Sequence, residues 1–276
     1  MKKWRLILSG YNDPYANMAI DEALCRRQAD PGALPVVRIY GWEPASFSLG
    51  YFQKPESLFN LKVCRQENIS FVRRFTGGEI IFHKDDLTYS VCCRRDDLGI
   101  FGSIDESYKI ISGFILEAYR SLGLEAEFFS AVKTFKQKES PTGALCFSSK
   151  EGYDITIQEK KIGGSAQRRR KKVIFQHGSI PLKMGTNLCA LFLNDDISGI
   201  DNKVISLEEA LGRPIHFGEL SEALIVSFTK VFNVDLQIAC LDAQEVELSG
   251  ILIREKYRNP EWNLYRKNTL FSTVEC

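Results

Sequence analysis

Residues 146–179 read CFSSKEGYDITIQEKKIGGSAQRRRKKVIFQHGS, and the order of elements within them decides the fold. A cysteine opens the stretch in a Gly/Ser/Lys-rich loop. The alternating run Tyr153-Asp154-Ile155-Thr156-Ile157 follows, and Lys161 stands just before a glycine pair. Alternation with period two marks a half-buried strand, so 153–158 with Glu159-Lys160 reads as one arm of a hairpin. Gly163-Gly164 lets the returning backbone approach a ligand closely, because no Cβ stands in the way. Ser165-Ala166-Gln167 continues as a small-residue strand, and Val173-Ile174-Phe175-Gln176 as the next. This geometry would lay a loop cysteine, Cys146, over Lys161, fifteen positions later.

Cys146 and Lys161 are the two residues expected to carry chemistry. A free thiol has a pKa near 8.5, so only about 3% is thiolate at pH 7. A neighbouring ammonium that lowers it by one or two units makes tens of per cent available. The plain alternatives stand beside this reading: an intracellular cysteine is most often a buried small hydrophobe, and a lysine before Gly-Gly is most often solvated.

A chain of 276 residues can bury a sizeable core as one large domain or two small ones, and one domain is expected. Lys+Arg 36 against Asp+Glu 35 leaves a formal charge of +1, which offers no global field for nucleic acid. A hydrophobic fraction of 44% with 26% charged residues is ordinary globular composition. No apolar run is long enough to span a bilayer, and MKKWRLILSG is too short a start for a secretory signal, so a cytoplasmic protein without membrane partners is expected. The eight cysteines show no C-x-x-C pair or companion histidine spacing, which argues against a metal site or a disulfide framework. Cys92 and Cys93 adjoin in a strand-like run, face opposite ways and read as packing residues.

Trp4 to Leu8 reads as a first strand, and Pro14 begins a helix to about Arg27. Asp21 and Glu22 on that helix read as solvated acids rather than catalytic carboxylates. Val36 to Tyr40 forms the next strand, and 55–68 reads as a helix. In FVRRFTGGEIIFHKDDLTYSV, residues 71–91, a strand ends at Arg73-Arg74, passes Phe75-Thr76-Gly77-Gly78 and resumes as Glu79 to His83. A glycine pair beside arginine suits a carboxyl, thioester or phosphate group: bare amides approach closely, and a guanidinium forks onto two oxygens. A plain β-turn reads much the same.

Residues 104–122 carry the clearest helical periodicity, closed by Gly123, and Glu125 to Phe129 reads as a short strand. Arg168 to Lys172 reads as a hairpin tip with three readings: a solvated turn, a nucleic-acid patch, or a docking surface for an acidic acyl carrier or lipoyl domain. His177 reads either as an acid/base or orienting group or as a hydrogen-bonded core histidine. Ser206 to Glu209 is a capping-box start, Leu220 to Val231 a helix, and Asp242 opens the last long one. The order suits an α+β domain, with a mixed, largely antiparallel sheet, packed helices and a smaller sheet nearby.

Lys161-Ile162-Gly163-Gly164-Ser165-Ala166-Gln167, with Gln176-His177-Gly178-Ser179-Ile180 after it, resembles the biotin/lipoate protein ligase superfamily. Within it, the stretch is most similar to the lipoate-protein-ligase-like octanoyltransferases that carry a Cys-Phe pair upstream of the lysine motif. Asn17 to Ala23, Trp42 to Gln53, the Arg73-Arg74-x-Thr76-Gly77-Gly78 loop with His83 and Leu87 to Ser90, and Lys256-Tyr257 with Glu261-Trp262-Asn263 agree in the same order. The likeness covers most of 15–265. It implies the ligase catalytic-domain fold over 1–276 with a short C-terminal helical extension. It also implies substrate-binding roles for Arg73, Arg74, Thr76, Gly77, Gly78, His83, Gly163, Gly164, Ser165, Ala166 and His177. One departure is Glu79, where relatives tend to carry glycine or arginine; a carboxylate there disfavours a bound phosphate or adenylate.

The resemblance implies a protein octanoyltransferase of lipoate biosynthesis. The octanoyl group passes from acyl carrier protein through Cys146 to a lysine of a lipoyl domain or glycine-cleavage H protein, by a monomer needing no cofactor. An eight-carbon chain gains about 0.8 kcal/mol per buried CH₂, around 5 kcal/mol in all. The alternatives are a lipoate ligase that uses ATP and Mg and passes through lipoyl-adenylate, and a non-catalytic partner of a split ligase or acyl-carrier binding module.

Overall fold

A computed structural model of the chain describes residues 1–129, 151–194 and 202–267. Its first turn follows from local chemistry. After β1 (Lys2–Asn12), the side chain of Asp13 accepts from Ala16 N at 2.7 Å, and Pro14, whose missing N–H is no loss at a helix start, begins α1 (Pro14–Arg27). β2 (Val36–Trp42) and β3 (Ser46–Leu49) follow. The single helix expected over 55–68 is two short ones, α2 (Pro55–Leu58) and α3 (Leu61–Gln66), because Asn60 caps a new start with its side chain on Val63 N.

β4 (Ser70–Arg73), β5 (Ile81–His83) and β6 (Asp86–Arg94) bracket the first glycine loop, and Ser103 caps α4 (Ile104–Ser121). Beyond β7 (Ala126–Phe128), description resumes with β8 (Ile155–Ile157) and β9 (Lys160–Lys161). These two are joined by a two-residue turn at Gln158 and Glu159, both with positive φ, the backbone signature of a tight hairpin. β10 (Gly164–Arg170), β11 (Val173–Pro181), α5 (Thr186–Ala190), α6 (Leu207–Leu211) and α7 (Phe217–Phe232) lead to β12 (Val234–Ile238), a strand with no expectation from sequence. α8 (Ala243–Leu252), a π-type turn Ile253–Tyr257 and α9 (Pro260–Tyr265) close the described chain. Capping boxes form at Ser206 with Glu209 and at Asp242 with Glu245.

The main sheet runs β10-β11-β6-β2-β1-β12; the first three pairings are antiparallel and the last two parallel. Period-two alternation splits it into two faces. Val37, Ile39, Leu87, Tyr89, Val91 and Ile174 join Phe114, Ile115, Leu224 and Phe228 of α4 and α7 in the largest core. Tyr40 and Trp42 face the other way, against Met18 and Ala23 of α1. Cys93 sits in the first core and Cys92 packs with Phe75 and Phe175, on opposite faces. Two three-stranded sheets, β4-β3-β5 and β7-β8-β9, flank the main one. No helix among the described residues is long and apolar enough to cross a membrane.

Candidate functional site

Two rows of side chains cross the main sheet on the α1 face. Ala166, His177, Ser90 and Arg38 are register neighbours across β10, β11, β6 and β2; Gly164, Ser179, Thr88 and Tyr40 form the next row. Asp21 sits over the first. Arg38 donates to its carboxylate at 2.8 Å, Tyr40 at 2.7 Å, Ser90 at 2.9 Å and His177 Nδ1 at 3.4 Å. The Arg38–Asp21 pair is fully buried, and Glu22 beside it pairs with Lys256 at 2.7 Å and Arg26 at 2.5 Å. The expectation that these acids are solvated is therefore corrected: the helix turns both into the protein, onto cations supplied by β2, its own next turn and the C-terminal segment.

These contacts set the protonation of the row. Burial pushes the Asp21 carboxyl upward, but the Arg38 guanidinium, with the His177 and Tyr40 hydrogen bonds, outweighs it and holds the group below its usual range. Burial lowers His177, Asp21 partly restores it, and Arg74 and His83 lower it again, so the ring is neutral near pH 7. Because Asp21 only accepts, the ring proton belongs on Nδ1, and the Thr76 hydroxyl donates to Nε2 at 2.7 Å.

The second histidine is held differently. His83 donates from Nδ1 to Asp86 Oδ2 at 2.8 Å, has its Nε2 2.8 Å from Ser48 Oγ, and stacks on Trp42 with ring centres 3.8 Å apart. The same Asp86 oxygen accepts from Thr88 at 3.1 Å and Ser179 at 2.7 Å, while Trp42 Nε1 donates to Thr88 at 2.8 Å. One carboxylate oxygen thus ties three strands together. Its partner, Asp86 Oδ1, is buried without a hydrogen bond.

The first glycine loop meets these rows from above. Arg73 is 1% exposed, and its guanidinium donates to the carbonyls of Gly50, Tyr51, Gln53, Trp262, Asn263 and Leu264. With these donors on the backbone, it fixes the C-terminal segment against β4; burial pushes it down to about 10. Arg74 holds Ser48 and draws the carbonyls of Gly77 and Glu79 inward at 3.0 and 2.7 Å. That bend puts Gly78 at φ +88°, and its carbonyl lies where a Cβ on Gly50 would fall, 1.8 Å away. A Cβ on Gly78 would stand 3.5 Å from Ala166 Cβ. Arg168 of β10 donates to the Phe75 carbonyl at 2.6 Å, so the glycine loop and β10 are in contact.

The lysine hairpin approaches β10 from its other end. Lys161 is 4% exposed; its Nζ lies 2.8 Å from Asp154 Oδ2, and its backbone is pinned between Lys203 and Ile205. Gly163 has φ +77°, and a Cβ there would meet the Ser179 carbonyl at 2.5 Å. A side chain at this position would prise the lysine strand off β11.

One narrow cleft is walled by Trp42, Ile81 and Ala166, with Ser48, Arg74, His83, Thr88, His177 and Ser179 as its polar lining. A second, on the α4 side, is lined by Asp154, Tyr89 and Tyr119 and shares Gly164, Ser165 and Ser179 with the first. The structure thus gathers Arg74, His83, Gly164, Ser165, Ala166 and His177 at one cleft, with Thr76 touching His177 and the open side of Gly78 facing Ala166, while Gly163 lines the second cleft together with Asp154, which pairs with Lys161. Gly77 is half-buried, with open space around it. Cys146 lies outside the described residues. A larger polar cleft near Arg5 and Glu245 is remote from these groups, and its Arg5 is already engaged twice by Glu245. Among the described residues no group of three His, Cys, Asp or Glu could hold a metal ion.

Asp154 and Asp86 were not foreseen. Each had a weak signal: Asp154 shares the polar face of the alternating run with Thr156, and Asp86 opens β6, in which apolar residues alternate with Thr88 and Ser90.

Residues 13–229 match the family model of the lipoyl protein ligase A/B catalytic domain. A protein of Brevibacillus brevis named octanoyltransferase LipM is 38% identical, with 96% of this chain and all of that one covered. A Bacillus subtilis protein of the same name is 36% identical over 95% and 98%. Among solved structures, a lipoate-protein ligase A bound with ATP superposes with a TM-score of 0.79 at 25% identity, covering 96% of this chain and 99% of that one. A bipartite lipoate protein ligase studied with its E2 lipoyl domain, from Thermoplasma acidophilum, gives 0.79 at 25% over 98% and 100%.

Proposed function

This chain belongs to the lipoyl protein ligase A/B catalytic-domain family, and from that premise we infer that it is an acyltransferase of lipoate biosynthesis that moves octanoyl groups onto lipoyl-dependent proteins. The observation that carries this is the identity of 36 to 38% to octanoyltransferases along nearly the whole of both chains. Likeness to the ligases is weaker, at 25%.

Acyl carrier protein is the donor in this reading, and a lysine of a lipoyl domain or H protein the acceptor. The octanoyl chain lies in the cleft between Trp42, Ile81 and Ala166, and the thioester carbonyl sits near the glycine turn at 163–164. The Cys146 thiolate attacks that carbonyl; the carrier sulfur leaves and takes up a proton. The acceptor amine then attacks the acyl-cysteine, the cysteine sulfur leaves, and the proton lost by the amine returns to it. Exchange of thioesters is nearly neutral and amide formation runs downhill, so no nucleotide enters. Lys161 holds the carbonyl oxygen, with Asp154 fixing where its ammonium points.

The test is incubation with octanoyl carrier and an apo lipoyl domain in nucleotide-free buffer. Octanoyl amide on the acceptor lysine is expected. Product that appears only with free acid and ATP would reverse the assignment in favour of a ligase.

A further inference from the structure

We propose that the corner of the molecule around the β10–β11 turn is the docking surface for the acidic acyl carrier that donates the octanoyl group; this rests on the octanoyltransferase reading. Lys171 and Lys172 form the two-residue turn and are exposed, following Arg168, Arg169 and Arg170 on β10. The turn does not stand alone. Arg95 N donates to the Lys172 carbonyl at 2.8 Å, which brings Arg94 and Arg95 of the β6 end alongside, and Lys2 reaches over to the carbonyls of Asp96 and Asp97 at 2.8 and 3.0 Å. Set against Asp96, Asp97, Asp105 and Glu106 nearby, these cations leave the corner net positive. The chain as a whole carries only +1, so the rest of the molecule is net negative. A segregated field of this kind steers an acidic partner to one place.

Two further observations show a built surface. Arg168 and Arg169 are not loose cations. Arg168 donates to the Phe75 carbonyl of the first glycine loop at 2.6 Å, and Arg169 to the carbonyls of Gly102 and Ser103 at 3.2 and 2.5 Å. Those two carbonyls lie between Phe101, 73% exposed, and Ile104, 57% exposed. Exposed apolar side chains beside a basic rim are the make-up of a protein–protein contact.

Reach decides between donor and acceptor. β10 spans seven residues from Gly164 at the cleft to Arg170 at the turn, about 20 Å at ~3.4 Å per residue. A lysine on its four-carbon stem cannot cross that distance, so an acceptor docked here would leave its amine outside the cleft. An acyl group on a long pantetheine arm can cross it. The corner therefore suits the carrier.

The test compares wild type with the double variant Lys171→Glu/Lys172→Glu and, separately, Phe101→Ser, each checked for an unchanged thermal midpoint. The charge reversal is expected to raise KM for octanoyl carrier about tenfold with kcat unchanged. KM for octanoyl-pantetheine, which keeps the arm but lacks the protein, and KM for the lipoyl domain should stay the same. Added salt should raise the wild-type KM for carrier, a readout that needs no variant, and should barely move that of the folded variant. An unchanged carrier KM, an equal rise for octanoyl-pantetheine, or a rise for the lipoyl domain instead would each overturn the assignment. Wild type that transfers from neither donor overturns the octanoyltransferase reading, and the docking surface with it.

Discussion

His177 and His83 stand on the same cleft, each backed by a buried aspartate, yet the two pairs are built on different physics. Asp21, behind His177, is neutralised by Arg38 and accepts from four side chains on both oxygens. Asp86, behind His83, puts three hydrogen bonds on one oxygen and none on the other. The first pair is an ion-paired frame that fixes α1 to the sheet. The second is a hinge point for the cleft wall: His83, Thr88 and Ser179 line the cleft and all hang from one atom. Buried charge therefore serves stability on one side and the shape of the cleft on the other.

The largest effect should come from breaking the frame. Arg38→Met leaves Asp21 buried without its cation, and a loss of about 3 to 5 kcal/mol is expected in urea unfolding, enough to threaten the fold of a marginally stable domain. The wall should respond less in stability and more in function. Asp86→Leu removes the acceptor of three donors; the Thr88 and Ser179 hydroxyls can rotate, so about 1 to 3 kcal/mol is expected, mainly for the His83 N–H, with a raised KM for octanoyl donors and a blunted preference for chain length. Asp86→Asn keeps an acceptor oxygen where Oδ2 stands and should come close to wild type. If Asn proved as damaging as Leu, the carboxylate charge, and not the single oxygen, would be what the wall needs.

The smallest effect is in pH. His177 is depressed in the folded state, so the unfolded chain binds more protons as pH falls below about 6.5, and stability present above that value is lost below it. Asp21 and Glu22 are also depressed, and their share is lost only below about 4.5. Denaturant midpoints across this range should fall in two steps, and His177→Gln should remove the upper one.

The contrast also explains what could be read in the chain. Helix α1 was legible at both ends, because Pro14 and the charged last turn act locally, and so were the capped starts at Ser206 and Asp242. The hairpin through Lys161 showed in its period. What could not be read is long-range pairing. Arg73 is committed to carbonyls some 190 positions away, which leaves no trace in the local pattern around it. Asp21 and Glu22 looked solvated because their partners Arg38 and Lys256 are brought to them by tertiary packing. Arg168 and Arg169 looked like part of a solvated turn, yet the glycine loop and the α4 start take up their donors. The short strand β12 lies at the sheet edge, paired with β1 alone, with too few residues for its period to register.

The covalent relay is tested most directly by intact-protein mass spectrometry after brief exposure to octanoyl carrier without acceptor. Wild type should gain one octanoyl unit that peptide mapping places on Cys146, and Cys146→Ala should gain none and transfer none. An unmodified wild-type chain, together with undiminished transfer by Cys146→Ala, would contradict the relay.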